Sequence, residues 1–257
     1  MRLTLLGTGT SMGVPQIGCD CAVCRSEDPR DRRSRTAALI EVDGTTLLID
    51  TPPELRLQLL RAGTRHLDAV LYTHEHADHV NGIDDLRSFS LLQRHPVPIY
   101  APPVTAEHLR RVFPYIFDAS VVPLDGTSKP RLTIEPIAAD RPATIAGVVV
   151  RPIAFEHGHA QVYGYRIGPV GYLTDVKRVP PAARELLRGV RVLVLNALWW
   201  RQHPTHLSFD EAIEVAEDLG AERTYLTHLT HETGHQELLD RLPPGIEPGY
   251  DGLCIEI

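Results

Sequence analysis

Short runs of apolar and β-branched residues, separated by polar turns, recur along the whole chain and predict many β-strands. The clearest pair is Thr36–Val42 and Thr45–Ile49, which are joined by Asp43-Gly44, a strong signal for a two-residue hairpin turn. Val192–Asn196 is almost wholly apolar, as expected of a strand covered on both faces. Further strands are predicted at Arg2–Leu6, Ala69–Leu71, Pro98–Ala101, Leu132–Pro136, Val148–Phe155, Val162–Ile167, Gly171–Leu173, Thr224–Leu226 and Leu253–Ile257.

Segments with apolar residues at helical spacing lie between these strands. Ser208-Phe209-Asp210-Glu211 is a capping box, which predicts the start of an amphipathic helix. Another helix is predicted with Thr51 as its N-cap and Gly63 as its stop. Because strands alternate with helices and no linker divides the chain, we expect an α/β fold in a single domain over residues 1–257. Other helices are predicted at Asp84–Gln93, Thr105–Phe117 with a break at Pro114, Pro181–Arg188 and Gln236–Arg241.

The composition is that of a globular protein with a sizeable core. Of the 257 residues, 43% are hydrophobic and 23% are charged, and the net charge is −7 with histidine neutral. This acidic balance argues against binding of nucleic acid by bulk electrostatics. No apolar run approaches the ~20 residues of a membrane-spanning helix, and the first residues do not resemble a signal peptide. We therefore expect a cytoplasmic protein with no membrane partner.

A cluster of metal-capable side chains directly follows the predicted strand Ala69–Leu71. Its form is H-x-H-x-D-H, and imidazole and carboxylate are ligands that zinc, manganese and iron accept. An apolar strand followed by threonine and a ligand type occurs three times, ending at His74, Asp175 and His228. Because ligands at the carboxyl ends of separate strands can meet at one sheet edge, the sequence predicts one shared metal pocket. The four residues of the cluster are His74, His76, Asp78 and His79.

Three of the four cysteines are crowded into a C-x-C-x-x-C segment, Cys19, Cys21 and Cys24. In a reducing compartment such crowding indicates metal binding rather than disulfides, and a tetrahedral ion needs a fourth ligand. His231 and Cys254 are the candidates for that ligand. The arginine-rich segment Asp28–Arg35 that follows is either a solvated loop or a source of cations facing an anionic substrate.

Together these motifs resemble the metallo-β-lactamase superfamily, and within it the PhnP-like cyclic phosphodiesterase branch. The resemblance is carried in chain order by Gly7-Thr8-Gly9-Thr10-Ser11, Gly13-Val14-Pro15, the three cysteines, H-x-H-x-D-H, Asp175, His228-x-x-His231 and Gly249-Tyr250-Asp251-Gly252. It implies a four-layer αββα sandwich with two catalytic metal ions and a separate structural zinc in a loop around residues 18–35.

The resemblance also implies the ligand sets. The first catalytic ion would be held by His74, His76 and His157, the second by Asp78, His79 and His228, and Asp175 would bridge them. The structural zinc would take His231 as its fourth ligand, which leaves Cys254 as a small buried apolar residue. His157 is preferred to His159 because it follows directly from the strand Val148–Phe155.

Asp78 and His206 are the residues that we expect to act in catalysis. His206 matches a histidine that the family places beside the substrate phosphate, where it can protonate the leaving alkoxide or stabilise developing charge. His203 is its local competitor. His159 and His203 are both candidates for contact with the substrate.

The resemblance implies hydrolysis of a small phosphodiester, first of all a ribose-type cyclic phosphate, by a metal-bridging hydroxide. An RNA-processing nuclease, a lactonase or thioesterase of the same superfamily, and a non-catalytic zinc-stabilised binding module are the alternatives. The catalytic ions can be zinc, manganese or iron. The aromatic segment Tyr115–Phe117 can line a cleft, join the core or form a homodimer contact.

Overall fold

The structure, a computed structural model, describes residues 1–257. Its strands are β1 (Arg2–Gly7), β2 (Ala37–Val42), β3 (Thr45–Ile49), β4 (Ala69–Leu71), β5 (Val97–Ala101), β6 (Leu132–Pro136), β7 (Ala143–Ile145), β8 (Val148–His157), β9 (Ala160–Ile167), β10 (Val170–Leu173), β11 (Val192–Asn196), β12 (Arg223–Thr227), β13 (Ile246–Pro248) and β14 (Leu253–Glu256). Its α-helices are α1 (Leu55–Ala62), α2 (Ala77–Val80), α3 (Arg87–Leu92), α4 (Pro103–Val112), α5 (Pro114–Phe117), α6 (Pro181–Leu187), α7 (Phe209–Leu219) and α8 (His235–Arg241). Pro29–Asp31 and Ile83–Leu86 are short 3₁₀ helices.

The strands form two seven-stranded mixed sheets. The first has the order β14-β1-β2-β3-β4-β5-β6, and the second has the order β13-β12-β11-β10-β9-β8-β7. Strands β3 to β6 run parallel in the first sheet, and β10 to β13 run parallel in the second. Each parallel half presents the carboxyl ends of several strands together, which is the arrangement that gathers ligands.

The two sheets pack face to face and helices cover their outer faces. Buried residues from both sheets, among them Leu3, Ile40, Tyr165 and Val194, form the central core. Helices α1, α3 and α4 pack on the first sheet, and α6, α7 and α8 pack on the second. The expected αββα sandwich is therefore confirmed.

Local signals in the sequence are mostly met. Ser208 accepts a hydrogen bond from the Glu211 N–H, and Glu211 accepts one from the Ser208 N–H, which completes the capping box of α7. Asp43 and Gly44 both have positive φ, as the hairpin between β2 and β3 requires. Ile116 belongs to the outer core of the first sheet, and Tyr115 donates to Asp84 at 2.7 Å.

Other predictions are wrong at element ends. Helix α1 begins at Leu55 rather than after Thr51, because the buried Thr51 hydroxyl is engaged by Tyr72 Oη at 2.7 Å and the Val80 carbonyl. The predicted helix Asp84–Gln93 divides into the 3₁₀ turn at Ile83–Leu86 and α3. Strands β7 and β13 have only three residues each and were not predicted, since neither is a continuous apolar run like the one that marks β4.

Asp31 and Arg33 of the segment Asp28–Arg35 are built into the fold, whereas Pro29 and Arg32 are exposed. Arg33 is 1% exposed and donates to the Gly249 carbonyl at 2.6 Å. Asp31 is also buried and accepts from the His235 N–H at 2.7 Å. Burial lowers the pKa of Arg33 to about 10. These contacts fasten the cysteine segment to the C-terminal part of the chain.

No helix in this structure combines the length and the apolar character that crossing a bilayer requires.

Candidate metal centre

Asp175 lies at the centre of a ring of histidines. It follows β10, is 2% exposed, and holds a left-handed backbone with φ of 58°. Five imidazole Nε2 atoms surround its carboxylate, each within 4 Å of one of its oxygens. The distances are 3.2 Å from His206, 3.4 Å from His228, 3.5 Å from His79, 3.8 Å from His74 and 3.9 Å from His157.

The first ligand group consists of His74, His76, His157 and Asp175. One potential ligand atom from each of them lies within 4.8 Å of the others. His74 is fully buried after β4, His157 ends β8, and His76 is exposed at the mouth of the site. Two sheets therefore contribute to the group, since β4 belongs to the first sheet and β8 and β10 to the second.

The second ligand group consists of Asp78, His79 and His228. Asp78 and His79 lie in the short helix α2, and an Asp78 oxygen is 3.4 Å from His79 Nε2 and 4.0 Å from His228 Nε2. His228 follows β12 with φ of 60°. The carboxylate of Asp175 lies beside this group as well as the first, 3.5 Å from His79 Nε2 and 3.4 Å from His228 Nε2.

A fully buried carboxylate supports the second group from behind. Asp50, which has φ of 62°, accepts hydrogen bonds from the Thr73 N–H, the Thr73 hydroxyl and His79 Nδ1, each at 2.8 Å. Because Nδ1–H of His79 donates to Asp50, Nε2 is the nitrogen of that ring that is left to bind an ion. His157 is held similarly, since its Nδ1 donates to the Thr205 carbonyl at 3.1 Å.

Asp50 was not predicted as part of the site. A signal was present: like Asp175, it is an acidic residue directly after an apolar strand, here β3. Its position next to Thr51 and two prolines favoured a role at the start of a helix instead.

Unpaired nitrogens show that the donor set fits divalent ions. Nε2 of His74, His79 and His228 is buried and has no hydrogen-bond partner within the protein. Unpaired buried polar atoms are costly, and three that face one carboxylate are the arrangement that a metal ion satisfies. Imidazole and carboxylate donors suit zinc, manganese or iron.

Burial and the carboxylates set the protonation of the ligands. Burial lowers the pKa of His74 well below its ordinary value, lowers that of His157, and brings that of His228 to about 4. Burial alone would also lower the pKa of His79, but the carboxylates of Asp175 and Asp50 raise it well above the ordinary value. Three rings are thus neutral at pH 7, whereas His79 must lose a proton to bind an ion.

His206 lies inside this ring of histidines, whereas its competitor His203 and the alternative to His157, His159, do not. Its Nε2 faces Asp175 at 3.2 Å, and its ring stacks on His228 with centroids 4.7 Å apart. His159 is exposed on the turn between β8 and β9, away from the ligand groups. His203 contacts His206 rather than Asp175, with the two Nδ1 atoms 3.2 Å apart.

The cysteine segment forms a second candidate metal site. One ligand atom from each of Cys19, Cys21, Cys24 and His231 lies within 4.8 Å of the others. His231 Nδ1 is 3.5 Å from Cys19 Sγ and 3.2 Å from Cys21 Sγ. Four converging ligands with no open position suit a structural zinc. The N–H of Cys24 and the ring of His231 lower the pKa of Cys21 to about 6, which favours the thiolate.

Cys254 is not part of this second site. It lies on β14 and is exposed, so the expectation of a small buried apolar residue is wrong. Alternation along β14 explains the difference: Ile255 is buried against the other sheet, and Cys254 therefore faces outward.

Comparisons with known proteins identify the family of the chain. A family model described as a beta-lactamase superfamily domain matches residues 45–229. An octanoyltransferase of Porphyromonas gingivalis is 43% identical over 256 residues, which cover 98% of this chain and 51% of that protein. This chain thus spans about half the length of that relative. A coenzyme PQQ synthesis protein B of Methylobacterium radiotolerans is 39% identical over 101 residues, 34% of each protein.

Solved structures extend the likeness to the whole fold. A new diphosphatase from the PhnP family superposes with a TM-score of 0.91 and 42% identity, covering 100% of this chain and 97% of the other. Zn²⁺-bound PqqB from Methylobacterium extorquens has a TM-score of 0.80 at 20% identity over 100% of both chains, which shows a shared fold. The chain belongs to the metallo-β-lactamase superfamily and, within it, to the PhnP-like branch.

Proposed function

We propose that this protein hydrolyses a phosphodiester bond in a small molecule with the help of two divalent ions. The observation that carries the proposal is the position of Asp175, whose carboxylate adjoins both ligand groups. A shared carboxylate suits a pair of ions about 3.5–4 Å apart, the arrangement that serves in-line displacement at phosphorus. The 42% identical relative from the PhnP family, described as a diphosphatase, supports phosphoryl chemistry.

The ions and the residues around them have separate roles in this proposal. The bound ions would lower the pKa of a water molecule and neutralise charge on the phosphoryl oxygens. Asp50 and the Thr205 carbonyl orient the rings of His79 and His157. His206, which is partly accessible and has no place in either expected ligand set, donates a proton from Nε2 to the leaving oxygen.

Two substrate classes deserve priority. A ribose-type cyclic phosphate is implied by the branch that the motifs resemble. A diphosphate diester is favoured by the diphosphatase, and it presents the same kind of disubstituted phosphorus. Octanoyl transfer is named for a relative of which this chain spans about half, so carbonyl chemistry serves as the contrasting class in the test.

A substrate panel tests the proposal. Protein loaded with Zn²⁺ or Mn²⁺ is given a ribose cyclic phosphate, bis(p-nitrophenyl) phosphate, ADP-ribose, a lactone and an octanoyl thioester. We expect turnover of at least one phosphate substrate. Loss of a hydrogen-bond partner behind a metal ligand costs up to roughly 100-fold. Asp175→Asn alters a ligand itself, so it should lower that turnover by more than this. Cleavage of the lactone or thioester alone would overturn the proposal.

A further inference from the structure

The loop that follows β11 carries a column of rings into the metal centre. Trp199 packs edge-on against His203 with centroids 5.2 Å apart, His203 lies 5.1 Å from His206, and His206 stacks on His228. Arg201 lies 3.6 Å above the Trp199 ring. His203 therefore stands directly behind His206, on the side away from Asp175, and is itself packed in place.

The hydrogen-bond partners of His203 indicate that its Nδ1 presents a lone pair to His206. The Thr205 N–H lies 3.3 Å from His203 Nδ1, and because a backbone N–H can only donate, this Nδ1 must carry a lone pair. His206 Nδ1 is 3.2 Å from the same atom. Two facing lone pairs would repel, so the contact is favourable only when Nδ1 of His206 carries the proton.

The threonine hydroxyl fits the same arrangement. Thr205 Oγ1 lies 3.2 Å from His203 Nδ1 and 2.9 Å from His206 Nδ1. When His206 Nδ1 carries the proton, the hydroxyl oxygen and His203 Nδ1 can share it as acceptors, and the hydroxyl proton is free to point away from both rings. Burial and the neighbouring His206 lower the pKa of His203, which keeps that ring neutral and its lone pair available.

We propose that His203 is the positioning residue of His206: its Nδ1 accepts the His206 Nδ1 proton and so fixes the ring with Nε2 towards Asp175 and the leaving group. This inference rests on the proposed function for its kinetic consequence, but its structural content stands without it. A ring fixed in this way needs no reorientation when the leaving oxygen arrives.

The kinetic consequence depends on the leaving group. A good leaving group such as p-nitrophenolate departs without a proton, whereas a phenolate or alkoxide needs one, so the reaction is sensitive to His206 only in the second case. Loss of positioning should therefore steepen the dependence of kcat on leaving-group basicity. A merely structural defect would lower kcat for all substrates alike.

A pair of substitutions isolates the acceptor. His203→Leu removes it, while His203→Asn keeps an acceptor oxygen close to the place of Nδ1. On aryl phosphodiesters we expect His203→Leu to lower kcat by about 10- to 100-fold for phenol and less than about threefold for p-nitrophenol. His203→Asn should stay within about threefold of wild type for both. Exposed His95→Asn is the surface control.

A second measurement reads the ring directly. In ¹⁵N-histidine-labelled, metal-loaded protein, His206 Nδ1 should show a protonated-type shift in wild type and His203→Asn, and an altered or averaged shift in His203→Leu. Equal losses in the Leu and Asn variants, no loss in the Leu variant, or an unprotonated Nδ1 in wild type would each overturn the inference. If wild type hydrolyses no phosphodiester, the proposed function fails, and the NMR result still decides the role of His203.

Discussion

At the scale of single residues, the site depends on backbone conformations that most side chains avoid. Asp50, Asp175 and His228 are three of the six non-glycine residues with positive φ. Each follows a strand of a parallel pair, where a left-handed residue turns the chain at once. Such strain persists only where the surroundings hold it, and here hydrogen bonds and burial do so.

Asp50→Asn should weaken metal binding without removing a ligand. Three donors converge on the Asp50 carboxylate, and an amide offers one acceptor oxygen and two N–H groups of its own. At least one donor is then left facing an N–H group, and His79 loses its orientation. We expect the affinity for Mn²⁺ to fall about 10- to 100-fold, measured by competition with a chelator.

Asp43→Asn is the matched control for this change. Asp43 also has positive φ, at 50°, but it is exposed in the hairpin turn and touches no ligand. Asparagine tolerates that conformation, so both substitutions are neutral for the backbone. Equal metal affinity in Asp50→Asn and Asp43→Asn would show that the carboxylate does not support His79.

At the scale of elements, the sequence predicts the site where ligands are tied to strand ends. The recurring strand, threonine and ligand pattern at His74, Asp175 and His228 indicates one pocket, and the structure brings all three together. The ligand sets themselves, and His231 as the zinc ligand, came from the resemblance. Spacing alone does not decide whether His231 or Cys254 is the fourth ligand of the cysteine segment, because this ligand lies more than two hundred residues away along the chain.

The turn after the metal-binding motif joins α2 to α1. The Gly82 N–H donates to the Thr51 carbonyl at 2.8 Å, and a Cβ at Gly82 would lie 2.1 Å from the Pro52 carbonyl oxygen. Gly82→Ala must therefore displace backbone, and we expect it to lower the free energy of unfolding by about 2–4 kcal/mol in urea denaturation. Exposed Asn81→Ala, the adjacent change, should cost less than about 1 kcal/mol.

The cysteine segment should hold its own ion. Cys24→Ser replaces one of the four converging ligands, so we expect one zinc fewer per chain by elemental analysis and a lower midpoint of thermal unfolding. Cys254→Ser, at an exposed position on β14, should change neither. Unchanged zinc content in Cys24→Ser would contradict a structural zinc at this site.

At the scale of the whole molecule, the site depends on both sheets. The first sheet supplies residues after β3 and β4, and the second supplies the last residue of β8 and residues after β10 and β12. The sequence predicts these strands but not their neighbours: β14 pairs with β1 from the opposite end of the chain, and β13 was unpredicted. Long-range pairing depends on packing of the complete core, which local patterns do not encode. The expectation of a single domain stays a prediction.

Ion binding by the assembled site should release a proton. At pH 7 the rings of His74, His157 and His228 are neutral because burial lowers their pKa, and the pKa of Asp175 is held well below its usual range by His228 and His79 despite its burial. His79, whose pKa is raised, keeps a proton that an ion must displace. Because this proton competes with the ion for His79, lowering the pH weakens ion binding. The affinity should therefore rise by up to about tenfold for each pH unit, as long as the pH is below the pKa of His79.

Calorimetric titration with Mn²⁺ measures this linkage, because manganese prefers oxygen and nitrogen donors and leaves the cysteine site aside. Between pH 6 and 8 we expect tighter binding at higher pH, and buffers of different ionisation enthalpy should report about one proton released. Asp50→Asn removes one of the carboxylates that raise the pKa of His79, so its affinity should depend less steeply on pH. Binding that is independent of pH in the wild-type protein would mean that His79 is already neutral, with no proton on Nε2 for the ion to displace.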